Sequence, residues 1–138
     1  MTDTRKIIGH PRQDGQGPHL ALPANFTPLR LTLQGLDFDV EVSCPVAIVG
    51  RHTDVDLRLA FADISRRHCQ FLFDNGVWRV IDLHSLNGVF VNNQRVLDMP
   101  LYAGDHIRIG CVTMLVLAGT PVRDENTVLR QIEDVLPE

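Results

Sequence analysis

Leu29, Leu31 and Leu33 alternate with Arg30, Thr32 and Gln34, the period-two signature of a strand with one buried face. After "QG", Phe38, Val40 and Val42 alternate with Asp37, Asp39 and Glu41, so the two runs predict a hairpin. The pattern repeats down the chain. "VAIVG" reads as a short buried strand, "DLRLA" as another, and "HCQFLF" stops at "DNG" before "VWRVID" resumes. "GVFVN" and "RVLD" flank a turn built on Asn92 and Asn93, and "DHIRIG" precedes the apolar "CVTMLVLAG". The spacing predicts nine to eleven short strands over about ninety residues with turn signals between them, an all-β sandwich and not an alternating α/β fold.

The two ends of the chain differ from this middle. Residues 1–27 hold Gly9, Pro11, Gly15, Gly17, Pro18 and Pro23 without sustained periodicity, which reads as a flexible N-terminal arm. Residues 28–119 carry the strand pattern. In the segment 120–138, Val128, Leu129, Ile132, Val135 and Leu136 fall on one face of a helix that Asp124 or Asn126 could cap, so a short C-terminal helix is expected.

Composition narrows the classes of function. The 138 residues carry a formal net charge of −4, against a general nucleic-acid binder, so any anion site must be local. No apolar run reaches the roughly 18 residues of a membrane span, and the first residues carry no core of signal-peptide length. Cys44, Cys69 and Cys111 are odd in number and widely spaced, which fits a reducing cytoplasmic location better than a disulfide framework. His10, His19, His52, His68, His84 and His106 show no metal-ligand spacing, so neither a metal site nor a cofactor is expected.

In a sandwich, binding groups gather on the loops at one end, held in place by the strands. The "GRHTDVD", "FADISRRH" and "DLHSLNG" loops would bring Arg51, Ser65, Arg66, Ser85 and Asn87 together. Guanidinium forks, short hydroxyls and an amide suit a tetrahedral dianion such as a phosphorylated side chain. Asp82, His84 and Ser85 supply the residue types of a catalytic triad, but chain neighbours rarely face one another in those roles. No "GxxxxGK" phosphate loop is present either, so no enzyme is expected.

"VGR" with Gly50 and Arg51, "SRRH" with Ser65 and His68, and "SLNG" with Ser85, Asn87 and Gly88 occur in order over roughly residues 29–118. In these motifs the chain resembles the forkhead-associated domain family, an Arg-cluster reader of phosphorylated motifs. The resemblance implies an eleven-stranded sandwich whose loops bind phosphothreonine in partner proteins. Carried over by position, Arg51 and Ser65 would hold the phosphate, Arg66 and Ser85 would support the phosphopeptide, and Asn87 would hold its backbone. Gly50, His68 and Gly88 would shape the loops. Leu86 stands where the family often has Thr, and Val89 where a small hydroxyl residue is usual, so one hydroxyl donor is absent. A sandwich that binds its partner without phosphate, as a scaffold, is the alternative.

Overall fold

The computed structural model describes residues 5–8, 22–36 and 38–121. In chain order the strands are β1 (Arg5–Ile8), β2 (Leu29–Leu33), β3 (Phe38–Val42), β4 (Val46–Gly50), β5 (Leu57–Arg58) and β6 (Cys69–Asp74). They continue as β7 (Val77–Asp82), β8 (Val89–Val91), β9 (Gln94–Val96), β10 (Asp98–Pro100), β11 (His106–Ile109) and β12 (Val112–Ala118). Seven strands form one sheet in the order β1-β3-β2-β12-β11-β8-β9, and five form the other in the order β10-β7-β6-β4-β5. The fold is all-β, and no described residue is helical.

Alternation along each strand makes the sandwich. Leu29, Leu31 and Leu33 of β2, Val40 and Val42 of β3, Val112, Met114 and Val116 of β12, and Ile107 and Ile109 of β11 are buried between the sheets. From the other sheet, Ala47, Val49, Phe71, Phe73, Trp78 and Val80 meet them. The hairpin turns follow from their residues. Asn75 and Gly76 sit at φ 51° and 81°, and Asn92 and Asn93 at 51° and 69°, the left-handed pairs that two-residue hairpins require.

Among the described residues the strands number twelve, against the eleven expected. Two strands are not legible in the pattern: β10, which starts at the end of "RVLD" and joins the other sheet, and β1, inside the stretch read as an arm. Strand β1 pairs in parallel with β3, Ile8 opposite Val42, and Ser43 N–H donates to Ile8 O at 2.8 Å. Ile8 is 6% exposed and completes the core at that edge. A run of four residues ending at Ile8 is too short to show a period, so only tertiary pairing reveals it. The C-terminal helix expected within residues 120–138 falls on residues 122–138, outside the described residues. No helix among the described residues is long and apolar enough to cross a membrane.

Residues before β2 also pack on the sandwich. The Phe26 ring lies edge-on to Phe73 (centroids 5.1 Å apart) and to Trp78 (5.9 Å), and Trp78 meets Phe73 at 5.5 Å. The Trp78 Nε1–H donates to Thr27 O at 2.8 Å, tying this approach segment to β7. Trp78 is fully buried while Thr27 is exposed, so the bond pins a surface segment to the core. Trp78→Phe should therefore remove the bond to Thr27 O and some buried contact of the larger ring, at a cost of about 1–3 kcal/mol. Urea unfolding followed by far-UV circular dichroism measures it; a loss below about 0.5 kcal/mol would show that the segment does not rest on this bond.

Candidate functional site

The five-stranded sheet carries two of the three motif loops. Where β4 ends at Gly50, the following loop runs beside the loop that leads into β6. Arg51 N–H donates to Ser65 O at 3.0 Å and His52 N–H to Arg66 O at 3.1 Å. This zipper works only because residue 50 lacks a side chain: a Cβ there would lie 2.1 Å from Arg66 O. Arg51 Nε donates to Ile64 O at 3.0 Å, which aims the guanidinium along the loop and leaves its terminal N–H groups at the exposed surface. Arg58 Nε donates to Arg51 O at 3.1 Å from the next strand.

The third loop, residues 83–88, is clamped to the second by His68. Its ring is fully buried. Nδ1 accepts the Ser65 N–H at 3.1 Å, and Nε2 donates to Gly88 O at 2.8 Å, so these partners assign the proton to Nε2. Two further bonds complete the junction. Leu86 N–H donates to Ser65 Oγ at 3.0 Å, and Asn87 Nδ2 donates to Asp63 O at 2.9 Å. Ser65 Oγ thus spends an acceptor position on the loop and keeps its own hydrogen to donate outward.

Ser85 sits apart from this exposed group. It is 8% exposed, its Oγ accepts Gly88 N–H at 3.0 Å, and its own N–H donates to Asp82 Oδ1 at 3.0 Å. Its hydroxyl braces the turn from below. Gly88, at φ +88°, follows that turn and leads into β8. The structure therefore brings Arg51, Ser65 and Asn87 onto one surface, with Arg66 exposed beside them, and places Ser85, His68, Gly50 and Gly88 beneath or within the loops.

The charges divide in the same way. Arg67 Nη2 donates to Asp54 Oδ2 at 2.8 Å, and His52 Nδ1 lies 2.7 Å from Asp54 Oδ1. The hydrogen bond from Arg67, then that from His52, holds the Asp54 carboxyl below its usual range. Arg67 is thus neutralised within the protein. Arg51 and Arg66 have no carboxylate partner among the described residues. A local positive surface stands on a chain of net charge −4. Sequence patterns missed two parts of it: the Asp63 carbonyl, because a backbone acceptor leaves no residue signature, and Arg95 of β9, which lies beyond the motifs. A Cβ on Gly88 would stand 2.8 Å from Arg95 Nε, so that guanidinium covers the glycine.

Comparison with known proteins places this arrangement. The family model described as the FHA domain matches residues 47–110, which span all three loops. The glycogen accumulation regulator GarA of Mycolicibacterium smegmatis is 38% identical over 82 residues, 59% of this chain and 51% of that protein. The oxoglutarate dehydrogenase inhibitor of Corynebacterium efficiens is 39% identical over 75 residues, 54% of this chain and 53% of its own length. The chain thus spans about half the length of these curated relatives. Among solved structures, a domain described in an analysis of phosphothreonine-dependent FHA domain interactions superposes with a TM-score of 0.63 at 34% identity, covering 67% of this chain and 97% of that one. FHA-1 of Mycobacterium tuberculosis Rv1747 superposes with a TM-score of 0.55 at 31% identity, covering 67% of this chain and 100% of that one. With the sandwich, the three loops and nearly the whole length of solved FHA domains shared, this chain belongs to the FHA domain family.

Proposed function

We propose that this domain is a phosphopeptide-binding module that recognises phosphothreonine in partner proteins, in signalling or assembly. The observation that carries the reading is the convergence of Arg51, Ser65 and Asn87 from three hydrogen-bonded loops onto one exposed surface. Arg51 offers terminal N–H groups as a fork for two phosphate oxygens, and Ser65 its free hydroxyl hydrogen for a third. Asn87 uses one amide hydrogen on Asp63 O and keeps its carbonyl oxygen for a peptide N–H. Arg66 adds charge at the rim. Ser85 acts through the turn it braces, and Gly50, His68 and Gly88 hold the loops in register. Leu86, 84% exposed between Ser85 and Asn87, gives its backbone N–H to Ser65 and has no side-chain donor for phosphate.

The solved relative described through phosphothreonine-dependent interactions supports the same reading. The protein acts by binding, not by catalysis, with neither cofactor nor nucleic acid, and a cytoplasmic location fits its phosphorylated partners. Calorimetry with a phosphothreonine peptide and its unmodified twin tests this. Binding of the phosphorylated form alone is expected; equal binding of both would favour a phosphate-independent scaffold on the same sandwich.

The consequences for the site are quantitative. Arg51→Ala should weaken phosphopeptide binding about a hundredfold while leaving the domain folded, because charge-assisted hydrogen bonds contribute roughly 1.5–3 kcal/mol each. Affinity within about threefold of the unaltered protein would remove Arg51 from the phosphate.

A matched phosphoserine peptide should bind about fourfold more weakly than phosphothreonine, the worth of one buried methyl near 0.8 kcal/mol. Equal affinities would show that no niche receives the threonine methyl.

Asp63 sets a third expectation. It stands two residues before Ser65, and its carboxyl group lies against Gly110, where a Cβ would be 2.8 Å from its Cγ. An oriented phosphopeptide library should disfavour Asp and Glu at the third position after phosphothreonine, and Asp63→Asn should relax that bias. Enrichment of acidic residues there would count against the assignment.

A further inference from the structure

Beyond the phosphate loops, a further cation stands next to the site. Arg95 on β9 lies opposite Phe90 of β8 in the antiparallel register, which puts both side chains on the outer face of the seven-stranded sheet. From there its guanidinium reaches back toward the candidate site. A Cβ on Gly88 would lie 2.8 Å from Arg95 Nε, 3.0 Å from Cζ and 3.3 Å from Nη2. Gly88 follows Asn87 directly, so a positive group borders the residue proposed to hold the peptide backbone. Arg95 is exposed and has no carboxylate partner among the described residues.

The opposite rim has the other sign. Asp63 accepts from Asn87 through its carbonyl oxygen, while its carboxyl group turns to Gly110 at the β11–β12 turn. In the sheet, β8 and β9 lie on one side of β11 and β12 on the other. Asn87 therefore sits between an acidic rim at Asp63 and a basic rim at Arg95. A bound peptide crossing Asn87 would present one flank to each. An extended chain advances about 3.3–3.6 Å per residue, so side chains one to three positions from the phosphothreonine come within reach of Arg95.

We infer that Arg95 is a specificity-determining residue that selects a carboxylate side chain one to three positions N-terminal to the phosphothreonine. The inference rests on the phosphopeptide reading above, with the C-terminal flank turned toward Asp63. Arg95 supplies a planar fork, already laid against Gly88, that fits a carboxylate in two parallel N–H···O bonds. The site then reads a dipole of charge along the peptide: an acidic residue before the phosphothreonine is accepted, and one after it is repelled.

The test compares phosphothreonine peptides carrying Glu or Gln in turn at each of the three preceding positions, titrated against the full chain and its Arg95→Gln, Arg95→Lys and Arg108→Gln variants. Arg108 lies on the same face, its guanidinium 4.1 Å from the Phe90 ring centroid, and controls for long-range loss of one charge. At one position the unaltered protein should prefer Glu about three- to fivefold, the range of a partly exposed ion pair. Arg95→Gln should abolish that preference, weakening the Glu peptide about three- to fivefold more than the Gln peptide, while Arg95→Lys keeps part of it and Arg108→Gln leaves it intact. Three results would overturn the inference: no Glu preference at any of the positions, a preference that survives Arg95→Gln, or equal losses for the Glu and Gln peptides, which would make Arg95 a brace for the Gly88 turn. Failure of every phosphopeptide to bind the unaltered protein would remove the phosphopeptide reading itself, and this inference with it.

Discussion

The candidate site depends on one buried imidazole. His68 has no solvent exposure, and both its nitrogens are committed to backbone groups of different loops: Nδ1 to Ser65 N–H and Nε2 to Gly88 O. A rigid ring with an acceptor and a donor at fixed separation sets the spacing between those loops. Removing it would leave the buried Gly88 O without its donor, at about 1–3 kcal/mol, and the part-buried Ser65 N–H without its acceptor. It would also free the segments that carry Ser65 and Asn87. The remaining cross-loop bonds, Leu86 N–H to Ser65 Oγ and Asn87 Nδ2 to Asp63 O, form only because the clamp has brought the loops together.

The sandwich supplies what the clamp needs. His68 immediately precedes β6, its N–H donates to Val49 O of β4, and its carbonyl accepts from Leu83 N–H just beyond β7. Three neighbouring strands of the five-stranded sheet therefore hold the histidine from both sides. Gly50 has a matching role on the first loop, since any Cβ would collide with Arg66 O and push Arg51 away from Ser65. Preorganisation of this kind matters for a small anionic target. Side chains already fixed by the fold lose less entropy on binding, so more of each charge-assisted hydrogen bond appears as affinity.

Much of this was legible in the sequence, for local reasons. The strands from β2 to β9, with β11 and β12, announce themselves because alternation at period two and turns such as "DNG" are encoded within a few residues, whereas the three residues of β10 carry no such pattern. Strand β1 was not legible, because "RKII" is stabilised by pairing with a strand some thirty residues away and carries no pattern of its own. At the site, the exposed donors Arg51, Ser65 and Asn87 were legible as motif residues. The direction of the Ser85 hydroxyl was not: a serine on a motif loop reads as a ligand group until its Oγ is seen to accept Gly88 N–H. Arg95 was hidden for the same reason as β1, since its place beside Gly88 follows from the register of β8 and β9 and not from its neighbours in the chain.

Charge on this protein is arranged by pairing more than by composition. The loop region holds Arg51, Arg58, Arg66 and Arg67 along with Asp54, Asp56 and Asp63, nearly balanced as a list. Geometry separates them. Asp54 is occupied by Arg67 and His52, Asp56 accepts the Ile48 N–H at 2.7 Å, and the Asp63 carboxyl group turns toward Gly110. Asp54 and Asp56 are spent on loop structure, Asp63 stands at one rim, and the arginines nearest the Ser65–Asn87 junction keep their charge for the surface. A chain of net charge −4 can present a local anion site in this way without attracting anions over its whole surface. The overall negative charge then works for selectivity. A net negative charge disfavours general attraction of polyanions, while Arg51 and Arg66 beside the Ser65–Asn87 junction keep a local positive region exposed.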